Sequence, residues 1–160
     1  YQWIDSFFLP MIDNIGRSTM SKINIEFDEI FQRWFKMIMD IESLNIRLDD
    51  SFSPIIEQNG YELEFDNLSG GEKTAASLSY RLALNQVING LVSTINTKDL
   101  IILDEPTDGF SDDQLDKIRI VLNELNTKQT ILVSHESKIE SFVENIIRFN
   151  KDNHITSIHF

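Results

Sequence analysis

Three short groups of residues in this 160-residue chain have the types and spacing to do chemistry. Residues 67–75 read NLSGGEKTA and put Gly70 and Gly71 side by side where a turn-rich stretch gives way to an apolar-periodic one, although glycine is a poor helix former. Two readings stand open. Ser69 and Glu72 fit the S-x-x-E capping box, in which each side chain satisfies an orphan backbone amide. Alternatively, the amides are left free for an anion, and the glycines keep side chains out of its path. The second group is Asp104-Glu105, which follows the apolar run 100–103. Adjacent carboxylates at the carboxyl end of a parallel strand lie where open α/β sheets place ligands. One can hold Mg²⁺ through water, and the next can orient or deprotonate an attacking water. The plain alternative is a charged strand-end pair satisfied by a helix amide, and the attached Pro106-Thr107 weighs against it. The third group is Ser134-His135, after the apolar run 130–133. A lone strand-end histidine is more often merely hydrogen-bonded than catalytic. Emergence at the same sheet edge as Asp104 and Glu105 favours the catalytic reading.

The elements that must position these groups follow from periodicity. After Glu72, Ala75, Leu78, Leu82 and Ala83 line one face of a long helix that Val87 and Leu91 continue. Residues 100–103 read as a strand buried on both faces, Leu115, Ile118, Leu122 and Leu125 as a helix, and 130–133 as a second buried strand. A short helix over 138–143 and a strand over 146–149 follow, and a turn through 150–153 leads to a closing hairpin strand over 154–160. His154 and His159 on that hairpin read as surface residues. This alternation implies parallel pairing with helical crossovers, an α/β fold.

Upstream, Leu44, Ile46 and Leu48 alternate with polar residues, as do Tyr61, Leu63 and Phe65, and Asn59-Gly60 is a hairpin turn signal. A small antiparallel region therefore precedes the glycine pair. Ile4, Phe7, Phe8, Met11, Ile12 and Ile15 follow helical spacing, with a kink expected at Pro10 and a stop at Gly16. Ile23, Phe27, Ile30, Phe31, Trp34 and Ile38 mark a longer second helix. Aromatic stripes of this kind are usually core; the other reading is a partner groove, and in a fragment the first stripe would be bare surface. The chain divides into helices over 1–41 and a mixed lobe over 42–160.

The balance of 41% hydrophobic and 25% charged residues is that of a folded protein rather than a disordered one. No apolar run is long enough to span a membrane as a helix. With no cysteine, a disulfide framework and a thiolate metal site are excluded. A net charge of −12, with 14 scattered Lys and Arg, argues against nucleic-acid binding by this chain alone. Because the chain opens on Tyr1 rather than Met, it reads as an excised piece.

Taken in order, Leu68-Ser69-Gly70-Gly71-Glu72, Asp104-Glu105 and His135 resemble the signature motif, Walker B strand and switch histidine of the ATP-binding-cassette ATPases. The resemblance covers roughly residues 65–150 by motif and the rest by pattern. No Gly-Lys pair occurs anywhere, so the phosphate loop G-x-x-x-x-G-K-[ST] is missing. Aromatic helices and a hairpin stand upstream instead, which looks like the carboxyl-terminal half of a coiled-coil cassette ATPase. That is the chromosome-maintenance and double-strand-break-repair group. "ILDEPT" and "LVSHE" after a β-rich segment look most like its repair branch, in an archaeal version.

The resemblance implies the C-terminal lobe of an ATPase head, with residues 1–41 at the base of a coiled coil. It implies ATP sandwiched between two head-to-tail protomers. Ser69, Gly70, Gly71 and Glu72 would then form the signature that meets the partner's nucleotide, with Ser69 and the Gly71 amide on the γ-phosphate. Asp104 would serve Mg²⁺, Glu105 the attacking water and His135 the γ-phosphate. Implied partners are the amino-terminal half of the same protein, a second copy, a Mre-eleven-type nuclease, and DNA held mostly through other parts, with no membrane. The implied location is cytoplasmic and nucleoid-associated, or nuclear in a eukaryote. One departure stands out. Where the family commonly has Leu-Asp in the D-loop, this chain has Phe110-Ser111, leaving Asp108 or Asp112 to supply the carboxylate. The competing readings are a chromosome-condensing relative and a non-catalytic dimerisation module that keeps the signature as an interface.

Overall fold

A single helix, not two, begins the chain. The computed structural model describes residues 1–91, 97–152 and 155–159, and in it helix α1 runs unbroken over Leu9–Met39 after a π-helical turn at Ile4–Phe8. Pro10 falls in the first α-helical turn, where a missing N–H is tolerated. The irregularity lies before the proline, in the wider π turn. Gly16 does not stop the helix. A glycine in a helix costs only about 1 kcal/mol against alanine, and the cooperative turns on either side carry it. The helix ends at Asp40, whose left-handed backbone (φ 48°) returns its N–H to the Lys36 carbonyl.

The two apolar stripes of α1 have opposite fates. Ile4, Phe7, Phe8, Met11, Ile12 and Ile15 are exposed, whereas Phe27, Phe31, Trp34, Phe35 and Ile38 are buried. The buried stripe packs on helix α2, Gly70–Leu91. Tyr80 of α2 closes over Phe27 and Phe31 at centroid distances of 4.9 and 5.5 Å.

Three antiparallel strands, β1 (Leu44–Leu48), β2 (Pro54–Gln58) and β3 (Tyr61–Leu63), pair in that order. Asn59 (φ 52°) and Gly60 (φ 83°) form the expected left-handed two-residue turn. Alternation along β1 buries Leu44, Ile46 and Leu48. Phe65, expected to continue β3, starts a 3₁₀ turn at Phe65–Asn67 instead. Asp28 of α1 accepts the Leu48 N–H at 2.6 Å, and Asn24 donates to the Asp49 carbonyl at 2.8 Å, which ties this sheet to the helix.

Strands β4 (Leu100–Asp104) and β5 (Gln129–Val133) pair in parallel across helix α3 (Asp112–Glu124), with Asp104 opposite Val133. The expectation that both faces of these strands are buried is not met. Ile101 and Leu103 are buried, but Leu100, Ile102, Ile131 and Val133 are exposed. Among the described residues, helices cover only one face. The short helix expected over 138–143 forms as a 3₁₀ segment at Ser137–Phe142. The last expected parallel strand begins later, as β6 (Arg148–Asp152), and pairs antiparallel with β7 (Ile155–His159) in a separate hairpin. Pairing with the strand that follows needs no long crossover, so it competes well against parallel addition to β5. His159 is exposed, and His154 lies outside the described residues.

Phe31→Ala should destabilise the chain by about 3–5 kcal/mol, since it opens a cavity where Phe27 and Tyr80 meet. Phe7→Ala on the exposed stripe should stay within about 0.5 kcal/mol of the parent. Urea unfolding of the two variants checks this, and equal losses would contradict the burial pattern.

Candidate functional site

Parallel register brings the second and third sequence groups together. Asp104 is the last residue of β4 and stands opposite Val133 at the end of β5. The Glu105 N–H still donates to the Val133 carbonyl at 2.9 Å, and the backbone then turns left-handed at Glu105 itself (φ 44°). A non-glycine residue held there costs roughly 1–3 kcal/mol and persists only where its surroundings impose it. The turn brings the Glu105 carboxylate to 3.0 Å from Nδ1 of His135. That hydrogen bond, aided by the carboxylate's charge and by Glu136 and Asp108, raises the His135 pKa above its ordinary value. Asp104 remains exposed beside them.

The signature turn forms the capping box. Both the N–H and the hydroxyl of Ser69 donate to Oε2 of Glu72 at 2.8 Å, and the Glu72 N–H donates back to Oγ of Ser69 at 3.3 Å. The two glycines differ. Gly70 is exposed, and a Cβ added there would meet nothing within 4 Å. Gly71 is buried, and a Cβ added there would lie 2.8 Å from the Gly109 carbonyl oxygen. One glycine keeps space open to solvent, and the other admits a neighbouring loop.

That loop follows Glu105. Thr107 is buried, and its hydroxyl has no partner among the described residues. The Phe110 N–H donates to the Thr107 carbonyl at 3.0 Å, and Gly109 takes φ 77°. Ser111 caps α3 through a second capping box, accepting the Gln114 N–H on its hydroxyl while its own N–H donates to Oε1 of Gln114. Ser111 thus performs the helix-capping task an aspartate would perform. Asp112 forms an ion pair with Lys138, and Asp108 is exposed.

Several residues here were not singled out from sequence. Lys73, Ser77 and Arg81 line an open cleft of about 230 Å³ with Asp104, Glu105 and Pro106, and the Lys73 ammonium donates to the Asp66 carbonyl at 3.0 Å. Their helical spacing along α2 was a usable signal only once the partner strand was known. Gly109 and Gln114 were also missed, although D-G and S-x-x-Q carry turn and cap signals. Among the described residues no three His, Cys, Asp or Glu gather closely enough to hold a metal ion. A single exposed carboxylate such as Asp104 nevertheless suits Mg²⁺, which takes its other ligands from water and phosphate.

Because the Glu105 carboxylate favours the imidazolium, His135 should titrate above 6.5 by NMR, with the ion pair intact below that pH and lost as pH rises through the raised value. Glu105→Gln should return the titration toward 6.5. An unchanged midpoint would show that Glu105 is not the cause.

No family model matches the chain. It is similar to DNA double-strand break repair Rad50 ATPases of archaea: 30% identical over 114 residues to that of Methanocaldococcus jannaschii, which is 71% of this chain and 11% of that protein. Against the Thermococcus kodakarensis protein it is 31% identical over 102 residues, 62% of this chain and again 11% of the relative. The chain therefore spans about a tenth of the length of these relatives. Among solved structures, the Smc head domain with a coiled coil and joint from Pyrococcus yayanosii superposes with a TM-score of 0.73 at 14% identity, covering 95% of this chain and 30% of that one. A Pyrococcus furiosus Smc head with an extended coiled coil, bound to the C-terminal domain of ScpA, gives 0.72 at 14%, covering 95% and 38%. The chain is thus a Rad50-like stretch of sequence whose α/β fold matches part of the Smc head structures.

Proposed function

We propose that this chain is the carboxyl-terminal half of an ATP-hydrolysing, SMC-like double-strand-break repair ATPase, active only when joined to the half that carries the phosphate loop. Residues 1–41 form the base of a coiled coil and 42–160 the lobe of the head. The observation that carries the reading is the Glu105–His135 pair at 3.0 Å, at the end of parallel strands with Asp104 adjacent. Glu105 accepts a proton from the attacking water and His135 donates to the γ-phosphate. Paired as they stand, the imidazole holds the base idle, and a phosphate that draws His135 away frees the carboxylate. Asp104 would hold Mg²⁺, whose charge would offset that of the phosphates. Ser69 and the amides of the Gly70-Gly71 turn meet the γ-phosphate bound to a second copy, while Glu72 keeps the helix capped. Asp108, exposed in the D-loop, supplies the carboxylate toward the partner; Asp112 is already paired with Lys138.

The exposed face of β4 and β5, with Leu100, Ile102, Ile131 and Val133, accepts the amino-terminal half, as an unpartnered apolar face requires. A net charge of −12 assigns most DNA contact to that other half. ATP-driven pairing of heads controls DNA binding and a Mre-eleven-type nuclease. Likeness to DNA repair ATPases supports a cytoplasmic, nucleoid-associated place; the described helices include none long and apolar enough to cross a membrane. The likeness to Smc heads favours a chromosome-condensing ATPase as the second reading. A purely structural dimerisation module is disfavoured by the strained turn at Glu105, which such a module does not need.

In the head rebuilt from both halves, Glu105→Gln should retain ATP binding and slow hydrolysis by about 10²-fold or more, because the amide keeps the shape but cannot act as a base. A wild-type rate would remove Glu105 from that role. Ser69→Arg should abolish ATP-dependent pairing of heads, seen by light scattering, and leave nucleotide binding by one head within about threefold, since the cation fills the space Gly70 keeps open. An undiminished ATP-dependent dimer would leave the signature turn with capping as its only task.

A further inference from the structure

The loop after β4 touches the signature turn with no slack. A Cβ on Gly71 would meet the Gly109 carbonyl oxygen at 2.8 Å, and a Cβ on Gly109 would meet the Gly70 carbonyl carbon and the Gly71 nitrogen, each at 3.2 Å. Gln114, half-buried at the start of α3, stands beside this contact, with its Oε1 3.3 Å and its Nε2 3.7 Å from the same Cβ position on Gly71. Both ends of its amide are engaged. Oε1 accepts the Ser111 N–H at 2.9 Å, and Nε2 donates to Sδ of Met39, buried near the end of α1, at 3.2 Å. One side chain therefore bonds to the cap of α3 and to the end of α1 and stands beside the signature turn.

We infer that Gln114 is a positioning residue that pins the loop after Glu105 to the signature turn and to the base of α1, and so sets where Ser69 stands relative to Glu105. The inference rests on the ATPase reading above for its consequence, but not for its geometry. A glutamate would serve the capping box equally well. It lacks the donor that reaches Met39, however. The amide is thus the group that accepts the Ser111 N–H and donates to the Met39 sulfur at the same time.

The test compares Gln114→Ala with Gln114→Glu. In the head rebuilt from both halves, each should lower kcat about tenfold with KM for ATP within about twofold, as misplacement without loss of a reacting group does. Gln114→Glu should restore the melting temperature that Gln114→Ala lowers, but not kcat. In the same rebuilt head, the amide NMR signals of Gly71 and Gly109 should shift in both variants while that of Ala83 stays in place. If kcat simply follows melting temperature, Gln114 is only a helix cap and the inference fails. Unmoved Gly71 and Gly109 signals overturn it as well. A wild-type head that hydrolyses no ATP would count against the ATPase reading instead, and the NMR comparison would still decide whether Gln114 holds the turn.

Discussion

The packing of α1 on α2 sets the frame for the antiparallel sheet and the turn at Ser69–Glu72. Phe27, Phe31, Trp34 and Ile38 form one buried face, and Tyr80 answers from α2 with its ring edge-on to Phe31. Burying each such side chain is worth roughly 1.5–3 kcal/mol, and the four together outweigh what the chain gives up at Gly16 and at the left-handed Glu105. The consequence is positional. With α2 locked along α1, its first turn, which carries Ser69 and the glycine pair, has a fixed place. The antiparallel sheet, tied to α1 through Asp28 and Asn24, delivers the chain to that turn.

A second alignment comes from the parallel pair. Parallel register carries both strands' carboxyl ends to one edge, so Glu105 and His135, 30 residues apart in sequence, become hydrogen-bonded neighbours. The left-handed turn at Glu105 is the local expense of aiming its carboxylate along that edge. The face of the sheet left bare has the same origin. Helices from this chain cover one side, and the alternating exposure of Leu100 and Ile102 against Ile101 and Leu103 marks a half-finished layer.

The double glycine resolves into two separate requirements. Capping by Ser69 and Glu72 and access by an anion are compatible, because the cap uses side chains and the Glu72 amide and leaves Gly70 open. Gly71 answers to a different neighbour, the Gly109 carbonyl, and joins the turn at Ser69–Glu72 to the loop that leaves β4. The D-loop departure has a similar explanation. Ser111 keeps the helix cap that an aspartate would form and gives up only the negative charge.

Much of the site was legible in residue types alone. The Ser69–Glu72 capping box, the Asn59-Gly60 turn, the helix after Glu72 and the strand ends just before Glu105 and Ser134 are local, because each depends on the backbone preferences and hydrogen bonds of a few adjacent residues. The sequence by itself also determined that no phosphate loop is present, since that motif is a contiguous string. What tertiary structure decided was set by partners far along the chain. Whether Gly16 breaks a helix depends on cooperative turns to either side. Whether 100–103 is buried on one face or two depends on how many helices the chain supplies. Whether β6 joins the parallel sheet or its own hairpin depends on a competition between a nearby strand and a distant one. Gly71, Gly109, Gln114 and Met39 meet across 75 residues, and no local pattern encodes that meeting, because it exists only once α1, α2 and α3 have packed.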